Sequence, residues 1–189
     1  MQPESAFDYL LSVEKQFAQS MSQLPQQHPI PQNLDWVGVI FLSGDHVLLT
    51  PLGEVVGILP VSFLASVPGV KPWLRGMGTY RNLLFPVTDL GGFLNQSLTN
   101  ITKDARILLT QYKEEYFGLL VDRVLGLQRI AKPEIEKIKE HNLPAEYEPF
   151  IAGAYSTVQL QLPIISCQAI IQHPRFKDVI VKEEEALEE

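Results

Sequence analysis

Short apolar runs, interrupted at close intervals by Gly, Pro, Asn and Asp, dominate the chain from Leu34 onward. Runs of this kind are too brief for ordinary helices and suit strands bounded by turns. Leu34–Ser43 and His46–Thr50 read as two strands joined at Gly44-Asp45, and Val55–Leu59 as a third between Gly53 and Pro60. Residues 66–76 (SVPGVKPWLRG) hold too much Pro and Gly for a regular element and read as a structured loop. Tyr80–Val87 supplies one or two strands, and Asp89–Phe93 a short turn or helical cap. Lys103–Tyr112 and Tyr116–Val121 form a hairpin around Lys113-Glu114-Glu115, followed by a strand over Leu125–Ile130. Lys132–Pro149 reads as a long charged loop with a helical turn over Pro133–Glu140. Ile151–Val158 and Gln159–Ile165 make a late hairpin, and Cys167–Ile171 starts a closing helix that Pro174 stops. This pattern predicts an all-β chain with minor helices. The strands fall into an early and a late set with a break near Asn95–Thr102, which favours two small barrels over one large sandwich.

The flanks differ from this body. Residues 4–21 place Phe7, Leu11, Ala18 and Met21 on one stripe at helical spacing. Ser20–Asn33 is rich in Gln and Pro and reads as an extended connector, because Pro fixes φ and removes a donor. The expected division is an N-terminal helix and linker over 1–33, a β domain over 34–174 and an acidic, disordered tail over 175–189. That tail carries five Glu between Glu183 and Glu189, much of the net charge of -7. The remaining body is only mildly acidic, without the basic surface that phosphate backbones require, so nucleic acid is not an expected partner. No stretch is apolar enough to span a bilayer and the N-terminus lacks a signal-peptide pattern, so a cytoplasmic location without membrane insertion is expected.

Nothing in the sequence assembles a reaction centre. The four histidines, His28, His46, His141 and His173, are not at metal-ligand spacing, and the single Cys167 has no Cys partner. Cys167 lies among apolar residues and reads as a buried small hydrophobe rather than a reactive thiol. No nucleophile elbow, phosphate-binding loop or dinucleotide fingerprint occurs. Asp89 and Asp122 sit in apolar surroundings but read as caps or turns at strand ends. The expectation is a protein without enzymatic activity, cofactor or metal.

Two stretches carry more information. Val67–Leu94 (VPGVKPWLRGMGTYRNLLFPVTDLGGFL) sets Pro68, Pro72, Trp73, Gly76, Arg81, Pro86, Val87, Asp89 and Leu90 in an ungapped order. Gly118–Ile130 (GLLVDRVLGLQRI) supplies Gly118, Val121, Asp122 and Val124. Together with Gly53–Ile58 upstream, these blocks resemble the CheW-like coupling proteins in order and spacing, over roughly Asp35 to Ile171. The amphipathic N-terminal stretch, the Gln/Pro linker and Pro174-Arg175-Phe176 resemble the PilI-like adaptors of the chemosensory system that controls type IV pili and twitching.

The resemblance implies two SH3-like five-stranded β-barrels side by side. It implies two partners: the regulatory domain of a CheA-type histidine kinase, and the cytoplasmic tip of a methyl-accepting chemotaxis receptor within bacterial receptor arrays. Carried over by position, Val55, Ile58, Gly76, Arg81 and Val124 are the expected receptor- and kinase-binding residues. Such an adaptor catalyses nothing and biases a kinase between states through differential contacts. The competing readings are a scaffold of flagellar chemotaxis or another chemosensory pathway, a related module with a different partner, and a small hydrolase or thiol enzyme. The chain departs from the family pattern at Gly57, where the family has Glu, at Thr79 in place of Asn, and at Asn82 in place of the Gly after Arg. Asn tolerates positive φ better than most residues, so a turn at Asn82 is expected to survive.

Overall fold

The computed structural model describes residues 36–94, 97–130, 135–136, 143–156 and 161–180. The expected N-terminal helix and linker, most of the segment 131–142 and the chain after residue 180 lie outside the described residues. Among the described residues, eleven strands form two sheets. The first contains β1 (Trp36–Ser43), β2 (His46–Pro51), β8 (Arg123–Ile130), the two-residue β9 (Ile135–Glu136), β10 (Ile151–Ser156) and β11 (Gln161–Ile165), in the order β8-β1-β2-β11-β10-β9. The second contains β3 (Gly57–Pro60), β4 (Leu74–Tyr80), β5 (Leu83–Asp89), β6 (Arg106–Tyr112) and β7 (Glu115–Val121), in the order β3-β6-β7-β5-β4. Among the described residues three short α-helices, α1 (Leu90–Phe93), α2 (Cys167–Gln172) and α3 (Pro174–Lys177), complete the body.

The two-lobed, all-β architecture agrees with the sequence reading, but the division between lobes does not follow an early and a late set. β3–β7 form one lobe, inserted between β2 and β8 of the other. The break near Asn95–Thr102 is only the connection from α1 to β6, inside the inserted lobe. Parallel pairings, β2 with β11 and β5 with β7, join strands that are distant in the chain. Such pairings leave no local turn signal in the sequence.

Side-chain alternation explains the arrangement. Along β6, Ile107 and Leu109 point into a core with Leu59, Phe85, Val87 and Leu120, inside the second sheet. Leu108 points the other way, into a larger core with Leu119 and Val121 of β7. Val39 and Phe41 of β1 enter that same larger core, whereas Ile40 turns to a third cluster with Leu49, Ile130, Leu162 and Ile164. Each lobe therefore has its own interior, and the largest core is shared between them. β6 and β7 are buried on both faces, which is why ILLT and GLLV lack the usual alternation, and β1 packs on both with its second face partly exposed.

Helices α1–α3 plug the shared core with aromatic side chains. Phe176 stacks on Trp73 at 6.4 Å and meets Phe93 and Phe117 edge-on at 5.5 and 5.8 Å. Phe176 is 4% exposed, so the folded body continues past the expected boundary at residue 174; burying an aromatic ring is what holds α3 in place. Ile180 extends it further through a bridge to Val70. Of the expected helical turn over Pro133–Glu140 the described residues include Ile135 and Glu136 alone, and these pair with Tyr155 and Ala154 as a strand instead. A 3₁₀ helix over Ala145–Phe150 turns Tyr147 and Phe150 inward instead.

Residues 66–76 do not form one loop. Their end begins β4, which pairs with β5 from Leu74↔Thr88 to Tyr80↔Leu83. The glycines that suggested a loop serve a close approach. Gly76 has φ 130°, and a Cβ there would stand 2.4 Å from the carbonyl oxygen of Ala65. Ala65 and Met77 exchange backbone hydrogen bonds of 2.9 and 2.8 Å, which ties the segment after β3 to β4 and curls the sheet closed. Replacing Gly76 by Ala forces this closure apart. The expected cost is about 2–3 kcal/mol in urea unfolding, whereas Thr79→Ala, at an exposed position on the same strand, should change stability by less than about 0.5 kcal/mol.

Candidate functional site

The shared core reaches the surface at the outer edges of the two sheets. β3 pairs only with β6 among the described strands, with Ile58 opposite Leu108. Paired residues share a face, so Ile58 lies on the side of the shared core and is 37% exposed. β8 pairs only with β1 among the described strands, with Val124 opposite Phe41 and Leu127 opposite Val39. Val124 packs on the shared core, while Leu127 stands 58% exposed beside it. Val55 is buried in the same core and backs this edge. Val56, at the bend just before β3, is exposed. The result is an apolar margin along both lobes where one continuous core meets solvent.

Val55, Ile58 and Val124 thus sit around one core, and Gly76 and Arg81 occupy other places. Gly76 is committed to closing the second sheet. Arg81 and Asn82 form the tip of the β4–β5 hairpin with φ 47° and 65°. Positive φ at both central positions is the hairpin turn whose twist matches its strands, and Asn82 tolerates it as expected. The Arg81 guanidinium lies over the Tyr80 ring at 5.1 Å. Leu127 and Val56 were missed by sequence reasoning. The signal for Leu127 is the strand register, which needs the partner strand to be known.

Three carboxylates hold this frame. Glu54, just before the β3 segment, accepts hydrogen bonds from Ser166 Oγ at 3.0 Å and from the Gln168 amide at 2.9 Å, at the start of α2. Its own backbone carbonyl accepts from Thr110 Oγ1 at 2.6 Å. Asp122 accepts from the Gly44 amide at 2.8 Å, which locks the start of β8 to the β1–β2 turn. The edges that present Ile58 and Val124 are therefore each pinned by an acid a few residues upstream. At Gly57, where the resembled family has Glu, a Cβ would meet only ordinary contacts, so space does not demand glycine there.

Asp89 is the third. It caps α1 by accepting from the Gly92 amide at 3.0 Å, accepts from the Thr99 amide at 2.9 Å, and pairs with Arg75 at 2.9 Å. The cap reading of Asp89 is thereby met, and Arg75 is a partner that sequence reasoning missed. Full burial pushes the Asp89 carboxyl up, opposed by the two amides and the Arg75 charge. Cys167 is buried, with Sγ 3.2 Å from Thr50 Oγ1, and burial pushes its thiol up to about 12, which keeps it protonated and unreactive. His46 stacks edge-on against Tyr147, and His173 caps α3 while packing on Phe93 and Phe150. Among the described residues no three His, Cys, Asp or Glu side chains are grouped to hold a metal ion, and no helix is long and apolar enough to cross a membrane.

The Arg75–Asp89 pair gives a signed prediction. Arg75→Met strands a buried carboxylate and should cost about 3 kcal/mol at neutral pH in urea unfolding. Because the folded-state carboxyl titrates above its ordinary 3.8, the folded form holds its proton more tightly than the unfolded chain. The stabilisation from that proton is complete below 3.8 and is lost as pH rises through the folded value. Without Arg75 the folded value climbs further, so the deficit of the variant should shrink as pH is lowered towards 4. A deficit that is the same at pH 5 and pH 8 would mean that Arg75 acts through packing alone.

Comparisons with known proteins converge on one family. The CheW-like domain family matches residues 37–175. The chain is 32% identical over 180 residues to the protein PilI of Pseudomonas aeruginosa, covering 94% of this chain and 98% of that one. It is 34% identical over 74 residues to the chemotaxis protein CheW of Bacillus subtilis, covering 39% and 47% of the two chains. It is 30% identical over 95 residues to the protein FrzA of Myxococcus xanthus, covering 50% and 59%. The crystal structure of the scaffolding protein CheW from Thermoanaerobacter tengcongensis superposes with a TM-score of 0.66 at 19% identity, covering 79% of this chain and 96% of that one, a likeness of fold. With its two lobes, its paired motif blocks and a match along most of its length, the chain belongs to the CheW-like family.

Proposed function

We propose that this chain is a non-enzymatic adaptor that couples methyl-accepting chemoreceptors to a CheA-type histidine kinase, in a system that controls type IV pili and twitching. The observation that carries the reading is the apolar margin formed by Ile58, Val124 and Leu127 on two sheet edges rooted in one core. An amphipathic helical tip lays its apolar face into such a margin, with anchors at helical spacing. Val55 supports the margin from beneath. Gly76 and Arg81 contribute by fixing the β4–β5 hairpin rather than by lining the same surface. The near full-length similarity to PilI supports pilus control over flagellar chemotaxis. In this role the protein works in the cytoplasm at receptor arrays, without nucleic acid and without inserting into the membrane.

Two binding measurements test this. Calorimetric titration into the regulatory domain of the host's CheA-type kinase should show saturable binding near unit stoichiometry. Ile58→Asp and Leu127→Asp, both at exposed positions, should weaken binding of a receptor-tip fragment at least tenfold, about 1.4 kcal/mol, while leaving kinase binding and Tm unchanged. Deletion of the protein in its host should abolish twitching; loss of swimming with twitching intact would assign it to flagellar chemotaxis instead. Absence of kinase binding at tens of micromolar would remove the adaptor reading.

A further inference from the structure

β3 is reached from the other lobe by a short crossing, a 3₁₀ turn over Leu52–Glu54 and a bend at Val56. The direction of this crossing decides where Ile58 stands. A hydrogen bond from the Val55 amide to the Leu52 carbonyl at 3.0 Å closes the turn, but a single turn is too short to hold a direction by itself. Two outside attachments do so. On the side of the second sheet, Thr110 Oγ1 donates to the Glu54 carbonyl at 2.6 Å and the Val56 amide donates to the Leu109 carbonyl at 2.8 Å. On the side of the first sheet, the Glu54 carboxylate accepts from Ser166 Oγ at 3.0 Å and from the Gln168 amide at 2.9 Å.

The first-sheet attachment is built around Ser166. Its hydroxyl oxygen accepts from the Ala169 amide at 3.1 Å as the cap of α2, and its one proton is then directed at Glu54. The Ser166 amide donates to the Phe150 carbonyl at 2.9 Å, and Cys167 behind it is fully buried, so the start of α2 is itself fixed. Both groups that face the carboxylate are donors, which a charged acceptor satisfies best. Glu54 takes part in none of the described ion pairs. Its oxygens therefore serve the start of α2 and not a basic side chain.

We propose that Glu54 and Ser166 are a positioning pair for the receptor-facing margin. They fix the direction in which β3 leaves the crossing, and so where Ile58 stands relative to Val124 and Leu127, without touching the partner themselves. The inference rests on the adaptor reading and adds to it a determinant of receptor affinity at the start of α2, 112 positions along the chain from Glu54.

Four single variants and one double variant test the pair. Glu54→Ala, Ser166→Ala and Glu54→Asp, which keeps the charge but shortens its reach, should each weaken binding of the receptor-tip fragment about tenfold, with kinase binding unchanged. Glu54→Gln, which keeps the reach and one acceptor, should restore affinity to within about threefold of the parent protein. Glu54→Ala combined with Ser166→Ala should bind no more weakly than either alone, because each removes the same interaction. A role in stability alone would lower Tm and leave the affinity of the folded variants unchanged. Full affinity in Ser166→Ala, or effects that multiply in the double variant, would overturn the pairing. So would affinity kept by Glu54→Asp and lost by Glu54→Gln, since Glu54 would then be a charge that the partner reads. A second readout needs no partner: exchange of the Val56 amide in the free ¹⁵N-labelled full chain should quicken in Ser166→Ala while the amides of β7 keep their protection. Unchanged exchange would overturn the inference even if receptor binding fell. Failure of the parent protein to bind the receptor-tip fragment would instead count against the adaptor reading, and the Val56 amide would still report whether the pair holds the edge.

Discussion

Packing of three strands on both faces is the constraint on which everything else in this structure depends. β1, β6 and β7 each give one face to a lobe interior and the other to the shared core. A strand used in this way cannot slip by one residue without moving large apolar side chains between two different cores. Leu108 and Leu109 illustrate the point: adjacent in the chain, both nearly inaccessible, and committed to different clusters. The shared core also explains why the lobes are interleaved in sequence. An insertion between β2 and β8 anchors the second lobe at both ends, and both anchors, Glu54 and Asp122, are hydrogen-bonded to the first lobe.

The acids in the motif blocks follow from that constraint. A carboxylate placed in an apolar setting is costly unless its oxygens are matched by donors. Asp89 is matched by two amides and a guanidinium, Glu54 by a hydroxyl and an amide, and Asp122 by an amide. These are positions where a sheet must end and the chain must turn in a fixed direction. The geometry that presents Ile58 and Val124 is therefore set by polar bonds several residues away. A change at such an acid would move an edge of the proposed margin without removing a side chain from it.

This division of labour decides how much the sequence could reveal. The hairpins β1–β2 and β6–β7 were legible because a turn signal, Gly44-Asp45 or Lys113-Glu114, stands between two apolar runs. The helical cap at Asp89 was legible for a similar reason, since an Asx side chain bonding ahead of itself is a local event. β4 was not, because the Pro and Gly content of residues 66–76 read as a loop, whereas Gly76 in fact lets the strand approach the backbone of Ala65. The assignment of strands to lobes was also hidden, since parallel pairs join residues far apart in the chain. Resemblance to a family brought Ile58 and Val124 into view, but Leu127 emerges only from the register. Phe176 shows the opposite error: a body boundary drawn at Pro174 from composition overlooked one aromatic side chain whose burial outweighs the charge that follows it.

Lobes that share a core have little freedom to move against one another. Trp73, Phe93, Phe150 and Phe176 interlock in the centre through ring contacts among elements of both lobes. Separating the lobes would expose these rings together, at about 3–5 kcal/mol for the loss of a single one. In the proposed adaptor role, a body built this way would act not by opening and closing but by holding each partner at a fixed angle, and the free energy that shifts a bound kinase would come from contacts that fit one of its states better than the other. Rigidity then serves specificity: a margin pinned by Glu54 and Asp122 cannot relax to suit a mismatched partner, and each misplaced apolar contact is lost in full. On that view the exposed leucines matter for where they are held as much as for what they touch, and the shared core is the element that holds them.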